Sequence, residues 1–164
     1  MTSEYLIRQA NRDDAKGIHK VLLAAFEEYR HHYTPEGFSN TVMSEDAVKE
    51  RMKEMVIYVA VGKKRNIIGT IGWQKIDEKE GHIRGMAVYP DWQGKKSPAA
   101  ALLNTIEDDA RSKGCLFLTL DTTVVLRRAG NFYRKHGFKK TGKTDNFFGS
   151  KIYEYSKHLK KESR

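Results

Sequence analysis

Cysteine is almost absent: Cys115 stands alone in 164 residues. A lone thiol cannot close an internal disulfide, and no Cys/His spacing resembles a zinc site, so neither staple nor structural metal is expected. Long apolar runs are missing too. Val21–Phe26 and Val56–Val61 fall far short of the ~20 residues that a membrane span requires. The opening Met1-Thr2-Ser3-Glu4 lacks the basic-then-apolar pattern of a signal peptide. Repeats, low-complexity segments and linkers are likewise absent. The expectation is a cytoplasmic protein with no membrane partner, folded as one domain over residues 1–164.

What is present fits that expectation. The 39% hydrophobic and 31% charged fractions are those of a globular chain. A chain of this length buries roughly 68–70% of its unfolded surface, enough for a core without cross-links. Thirty Lys+Arg against twenty-one Asp+Glu leave a net charge of +9. That favours anionic partners: nucleic acid, a membrane surface or a phosphorylated small molecule. The charge is scattered over Lys63-Lys64-Arg65, Lys95-Lys96, Arg127-Arg128, Lys139-Lys140 and a basic tail from Lys157 to Arg164, most of which read as solvated faces and turns. Without an RNA-recognition aromatic motif or zinc-finger spacing, charge alone makes a weak case for nucleic acid.

Hydrophobic periodicity predicts a mixed α/β (α+β) order, β-α-α-β-β-β-α-β-α-β-β, with about seven strands and four helices. Tyr5–Gln9 alternates like a strand. Asn11, with Asp14 three residues on, caps a helix whose buried face is Ile18, Val21, Leu22, Ala25, Phe26 and Tyr29. His31–Thr41 reads as a loop, and Ser44 caps a second helix bearing Val48, Met52 and Met55. Val56–Val61, Ile67–Asp77 and His82–Tyr89, joined by short turns, predict an antiparallel meander. A helix over about Pro98–Lys113 ends at Gly114 and leads into a strand, Cys115–Asp121. Strand, helix, strand is a βαβ crossover, which makes His82–Tyr89 and Cys115–Asp121 parallel neighbours. A fourth helix, about Arg127–His136, precedes strands Phe138–Gly142 and Phe147–Tyr155. The central sheet is therefore mixed but mostly antiparallel, and an exposed last strand would be free to pair with a second copy as a homodimer.

The stretch Val88-Tyr89-Pro90-Asp91-Trp92-Gln93-Gly94-Lys95-Lys96-Ser97-Pro98-Ala99-Ala100-Ala101-Leu102-Leu103 is the most informative. It reads as a strand, a loop and a helix start, with Ser97 as N-cap and Pro98 in the first helical position. The free N–H groups of Ala99 to Ala101 would then face outward, where the helix dipole favours an anion. Lys95 and Lys96 add charge at the same point. The competing reading is an ordinary capped helix with solvated lysines.

This loop and the order of elements resemble the GNAT-type N-acetyltransferase superfamily, whose pyrophosphate motif runs V-x-P-x-x-R/Q-G-x-G-x-G/A followed by A-L-L. Val88, Pro90, Gln93 and Gly94 match, and Leu102-Leu103 follow after one extra residue. Lys96 and Ser97-Pro98 stand where two family glycines would let backbone N–H groups press on the phosphates. A second family pattern, N-x-x-A-x-x-F/L-Y-x-x-x-G-F, is matched by Ala129, Phe132-Tyr133 and Gly137-Phe138, with Leu126 in place of the Asn.

The resemblance implies acetyl-CoA as co-substrate, no metal, and a primary amine on a small molecule or peptide as acceptor. It implies backbone contacts to the cofactor from Met86, Ala87 and Val88, with Gly85 allowing a bulge that splays this strand from its parallel neighbour. The phosphates would meet Gln93, Gly94, Lys95, Lys96, Ser97, Ala99 and Ala100. Tyr133 falls at the position that in many members protonates the departing thiolate; the plainer reading is a helix Tyr packed beside Phe132. His82 falls where several members carry a general-base Glu, and a His titrates near neutrality; the plainer reading is an edge-strand histidine. His136 reads as a favourable charge at a helix C-terminus. Substrate recognition in this fold would come from His31-His32-Tyr33-Thr34-Pro35 with Glu27 and Glu28, and from Asp145-Asn146-Phe147-Phe148. An acetyl-cysteine relay through Cys115 is disfavoured by its place at the start of a buried strand. A different class stays open: a non-catalytic acyl-CoA sensor, suggested by the altered phosphate loop and Leu126.

Overall fold

The computed structural model describes residues 4–160. Seven strands form a single sheet: β1 (Tyr5–Gln9), β2 (Val56–Gly62), β3 (Ile67–Lys75), β4 (Glu80–Val88), β5 (Phe117–Thr122), β6 (Lys139–Phe147) and β7 (Ser150–His158). Their order across the sheet is β1-β2-β3-β4-β5-β7-β6. Every neighbouring pair is antiparallel except β4 and β5. The parallel pair is the one the βαβ crossover demands.

Five helices cover the two faces of the sheet. One face packs α1 (Ala15–Phe26), α2 (Pro35–Thr41) and α3 (Glu45–Arg51) through Ile18, Val21, Leu22, Phe38 and Val48 onto Ile57, Val59 and Val61. The other packs α4 (Ala99–Ser112) and α5 (Arg127–Lys135) through Leu102, Leu103, Ile106 and Tyr133 onto Ile68, Ile71, Leu118 and Leu120. Each helix thus buries one stripe, and the sheet buries both faces between them. The Trp73 indole N–H, at the centre of the second core, donates to Asp109 Oδ2 at 2.8 Å.

Several expected boundaries move, each for a physical reason. The segment His31–Thr41 is not a plain loop: a 3₁₀ turn, Glu27–His32, continues α1, and α2 fills Pro35–Thr41. Thr34 accepts from the Gly37 N–H at 3.1 Å and Phe38 is buried beneath, but seven residues carry too little periodicity to announce a helix. The strand expected to begin at Cys115 begins at Phe117. Gly114 turns the chain at φ +89°, and the Cys115 N–H bonds back to Ala110 O, so the buried thiol belongs to the end of α4. The final hairpin turns at Phe148-Gly149, with φ +48° and +91°, and not at 143–146. Its strand β6 is exposed almost throughout, which removes the apolar alternation that would reveal a strand.

The last strand is not an edge. β7 lies between β5 and β6, and the edge is the lysine-bearing β6, with a register shift between Lys140 and Thr144, features that discourage pairing with another copy. Lys157 is likewise no tail residue: it sits in β7 with its ammonium 2.8 Å from Glu107 Oε2 of α4. The remaining tail, 161–164, and Met1-Thr2-Ser3 lie outside the described residues. No helix among the described residues is long and apolar enough to cross a membrane.

Two features of β4 create the site. It carries one residue more than β3 between matched pairs, since Arg84 faces Gly72 but Ala87 faces Thr70, and Gly85 sits at φ +69° within that bulge. Pairing with β5 also stops early, at His82↔Thr119. Beyond that point the two parallel strands part.

Candidate active site

A cleft of about 870 Å³ opens where β4 and β5 diverge. That is the size of a site for a cofactor or a large ligand. Of the residues singled out in the sequence, His82, Met86, Ala87, Val88, Gln93, Gly94, Lys95, Ser97, Ala99, Ala100 and Tyr133 all lie on its wall. Lys96 does not: its ammonium is directed outward, 3.5 Å from Glu4 Oε1.

One end of the cleft is made of backbone. The bulge leaves the β5-facing edge of β4 from Gly85 to Val88 without a partner strand. After β4 the chain makes a short 3₁₀ turn, Pro90–Trp92, and Gly94 adopts φ +98° with open space where a Cβ would be. Helix α4 begins at Ala99, one residue later than expected, with Pro98 in the cap position. The Ser97 hydroxyl nonetheless accepts from the Ala99 N–H at 3.1 Å. The N–H groups of Ala100 and Ala101 have no partner among the described residues, so the helix presents open donors toward the cleft. Gln93 donates to Val88 O at 3.1 Å and accepts from Arg128 of α5, which also approaches Glu28 at 3.6 Å. Arg128 therefore ties α5 to the loop after β4 across the cleft mouth.

Tyr133 approaches from α5. Its hydroxyl is buried and donates only to a thioether, Met86 Sδ, at 3.4 Å. Burial pushes the phenol pKa up, so the proton stays on oxygen. A donor whose partner is a weak sulfur acceptor is free to serve a stronger one in the same place. Nearby, the Thr122 and Thr123 hydroxyls are buried on the cleft wall without partners among the described residues. They lie next to Leu126, where the family pattern has an amide side chain.

The other end of the cleft is made of side chains. His82 Nδ1 lies 2.7 Å from Thr119 Oγ1, and the Thr119 hydroxyl donates to Glu80 Oε2 at 2.7 Å. A hydroxyl has one proton. Spent on the carboxylate, it leaves Thr119 Oγ1 only as an acceptor, so Nδ1 carries the hydrogen and Nε2 of the neutral ring is bare. That Nε2 sits 3.5 Å from Asp121 Oδ2. Burial lowers the His82 pKa, with Arg84 adding to the effect, while Asp121, Glu80 and Glu154 oppose it. Asp121 is itself raised, first by burial and then by Glu154 and Asp145, against His82 and Arg84. Tyr33, Tyr29, Glu28 and Phe147 complete this end, whereas His31, His32, Asp145 and Phe148 are not on the wall. His136 reaches the wall from the C-terminus of α5, with its pKa lowered by burial and by Lys157. Among the described residues no group of three or more His, Cys, Asp or Glu is placed to hold a metal ion.

Thr119, Glu80, Asp121 and Arg128 were not singled out from the sequence. The alternation of Thr119 and Asp121 along the strand was visible, but nothing in it revealed that β5 places them against His82.

The sequence profile described as the acetyltransferase (GNAT) family matches residues 16–138. The chain belongs to that family. It is an acetyl-CoA-dependent acyltransferase. A comparison with curated protein sequences returns no match. Among solved structures, the chain is similar to a PaiA N-acetyltransferase from Thermoplasma acidophilum in complex with coenzyme A, at TM-score 0.81 and 19% identity over 96% of this chain and 99% of that one. It is also similar to a GNAT family acetyltransferase from Elizabethkingia anophelis with acetyl-CoA bound (TM-score 0.68, 16% identity, 96% and 100% covered). A ribosomal-protein-S5-alanine acetyltransferase from Vibrio fischeri gives TM-score 0.71 at 19% identity, with 100% and 98% covered. At these identities the likeness is one of fold.

Proposed function

We propose that this protein is an N-acetyltransferase that moves the acetyl group of acetyl-CoA to a primary amine by direct attack within a ternary complex. The observation that carries the reading is the bare Nε2 of His82, held by Thr119 and Glu80 at the point where β4 and β5 part. An acceptor amine is mostly protonated at neutral pH and cannot attack until a base removes that proton. His82 Nε2 takes it, and Asp121 at 3.5 Å stabilises the imidazolium that results. The amine nitrogen then bonds to the thioester carbonyl carbon. Unpaired N–H groups along Gly85–Val88 receive the negative charge on oxygen, and the C–S bond breaks as the carbonyl re-forms. Tyr133 gives its proton to the departing sulfur; the amide nitrogen sheds its second proton through water to restore the phenol, and His82 returns its own proton to solvent. Cys115, buried at the end of α4 with its pKa raised by burial, takes no part.

The reading takes residues 1–164 as one domain, working in the cytoplasm on a small-molecule or peptide amine. Met86–Val88 would line the pantetheine arm, and Gln93–Lys95, Ser97, Ala99 and Ala100 the phosphates. The alternative, a sensor that binds acyl-CoA without turning it over, draws on Leu126 and the loop without its glycines. A pure binder has no use for an oriented histidine. The test is acetyl-CoA consumption over an amine panel, following free thiol and the mass of the acetylated amine. Thiol release that depends on the amine supports the transferase. Stabilisation by acetyl-CoA without consumption by any amine returns the sensor.

A further inference from the structure

Two guanidinium groups line the acceptor end of the cleft without a carboxylate in hydrogen-bond or ion-pair contact among the described residues. Arg51, the last residue of α3, reaches the bulge in β4: its Nη1 would lie 3.4 Å from a Cβ built on Gly85. Arg84 is the residue just before that bulge, two positions along the same strand from His82. Both line the main cleft, and both border the small apolar recess behind it, beside Ile18, Leu22, Met43 and Ile57. Neither has a hydrogen bond or an ion pair among the described residues.

This arrangement is costly as it stands. Burial and the neighbouring Arg84 push the Arg51 pKa down to about 10, opposed only by Glu54. A half-buried guanidinium is ordinarily paired with a carboxylate, because an unpaired charge loses solvation without return. In the rest of the molecule that rule holds: Arg8 forks onto Asp14 at 2.7 Å and 2.9 Å, and Arg111 meets Asp108 at 2.6 Å. The exception is confined to the one place where a ligand enters.

The opposite wall carries the opposite charge. Asp121 projects from β5 and pairs in register with Glu154 of β7, and the two are like charges on one face of the sheet. The acceptor end is thus dipolar, with carboxylates beside the Nε2 of His82 and guanidiniums beside the bulge. Side chains two residues apart on one face of a strand stand roughly 6–7 Å apart. That spacing separates His82 from Arg84, and it suits a molecule whose amine and anion are only a few bonds apart.

Resting on the acetyltransferase reading above, we infer that the acceptor is an amino acid or a similar small amine bearing a carboxylate, with Arg51 and Arg84 forming the carboxylate subsite while the amino group faces His82. The planar fork of a guanidinium accepts a carboxylate through two parallel N–H donors, so the pair fixes orientation as well as affinity. A ligand carboxylate would relieve the repulsion between the two arginines, which an uncharged substituent cannot do. A diamine would place its second cation against them.

The test compares kcat/KM for free amino acids, their carboxamides, and simple mono- and diamines, with acetyl-CoA saturating. The expected result is a preference of at least tenfold for amino acids over their carboxamides. In Arg84→Gln that ratio collapses toward one, mainly through a rise in KM for the carboxylate substrates, with both substrate classes compared on the pH plateau of each enzyme, because Arg84 also acts on His82. Arg51→Gln behaves likewise if it folds; Arg84 is exposed, so the Arg84→Gln result stands without it. Equal or better rates with carboxamides or diamines overturn the inference while leaving the transferase intact, as does a preference that both substitutions leave untouched. Absence of transfer to every amine removes the acetyltransferase reading itself, and this one with it.

Discussion

The two ends of the cleft are built from different materials. At the phosphate end the chemistry is backbone: the unpartnered edge of β4, the φ +98° turn at Gly94 and the open N–H groups of Ala100 and Ala101. At the acceptor end it is side chains drawn from four elements, with His82 and Arg84 from β4, Thr119 and Asp121 from β5, Arg51 from α3 and Glu28 from the turn after α1. Backbone donors serve any ligand of the right shape and are indifferent to moderate changes in side chain. A side-chain cluster depends on every member. On the proposed reading, this contrast predicts that the phosphate end would tolerate the loss of two glycines more readily than the acceptor end would tolerate the loss of one histidine.

Removing His82 tests that contrast most severely. His82→Ala should cut kcat/KM for the amine by about 10²–10⁴-fold, the usual worth of a positioned general base. Binding of acetyl-CoA, followed by calorimetry, should be unchanged. In the wild type the acid limb of kcat/KM should fall below the ordinary histidine value of 6.5, because burial lowers the His82 pKa. Asp121 acts against burial and raises it. Asp121→Asn should therefore move the acid limb to still lower pH, while lowering the plateau because the imidazolium loses its counter-charge. A limb that moves upward, or does not move, contradicts the arrangement.

Tyr133→Phe comes next. It removes only the proton donor, and the ring keeps its place against Phe132 and Phe138. A fall of about 10²-fold in kcat with an unchanged Kd for acetyl-CoA is expected. Replacing the natural leaving group by an acyl-CoA analogue with a more acidic thiol should narrow the gap between variant and wild type, since a better leaving group needs less help. Equal activity of the variant with acetyl-CoA would mean that the thiolate leaves unassisted.

The same contrast decides what could be read from the chain. The phosphate end was legible because it is contiguous: Val88 to Ala101 spell out strand, turn and helix start in fourteen successive residues. The meander and the parallel pair were equally legible, since the crossover fixes β4 beside β5, but the insertion of β7 between β5 and β6 was not. The acceptor end was legible only in part, through His82 and through Glu28, Tyr33 and Phe147 of the two recognition segments. The His82 partners Thr119 and Asp121 lie 37 and 39 positions away, and their role depends on a parallel register that no local pattern encodes. Arg51 carries no local signal at all: it is one of several charged residues of α3, and only the packing of that helix against the bulge in β4 brings it to the cleft. Helix α2 escaped notice for the opposite reason: Pro35 and Gly37 argue locally for a loop, and burial of Phe38 against the first core outweighs them.

The smallest effect separates two adjacent lysines that the sequence treats alike. In the structure Lys95 lines the cleft beside Gly94, while Lys96 reaches toward Glu4 on the outside. Both are exposed, so each contact is solvent-screened and worth at most about 1 kcal/mol, or about fivefold in affinity. Lys95→Ala should weaken acetyl-CoA binding by up to about that factor and reduce its sensitivity to salt, because an ammonium–phosphate contact at the surface fades as ionic strength rises. Lys96→Ala should leave both unchanged. Neither substitution should disturb the start of α4, whose Ser97 hydroxyl and Pro98 carbonyl hold Ala99 and Leu102 without either lysine head. Calorimetric titration of each variant at low and high salt settles the pair. If both variants bind as wild type at low salt, the cradle is backbone alone and the two ends of the cleft differ even more sharply. If Lys96→Ala is the weaker binder, the loop rearranges around the phosphates, and the material at this end is not the fixed backbone that the contrast assumes.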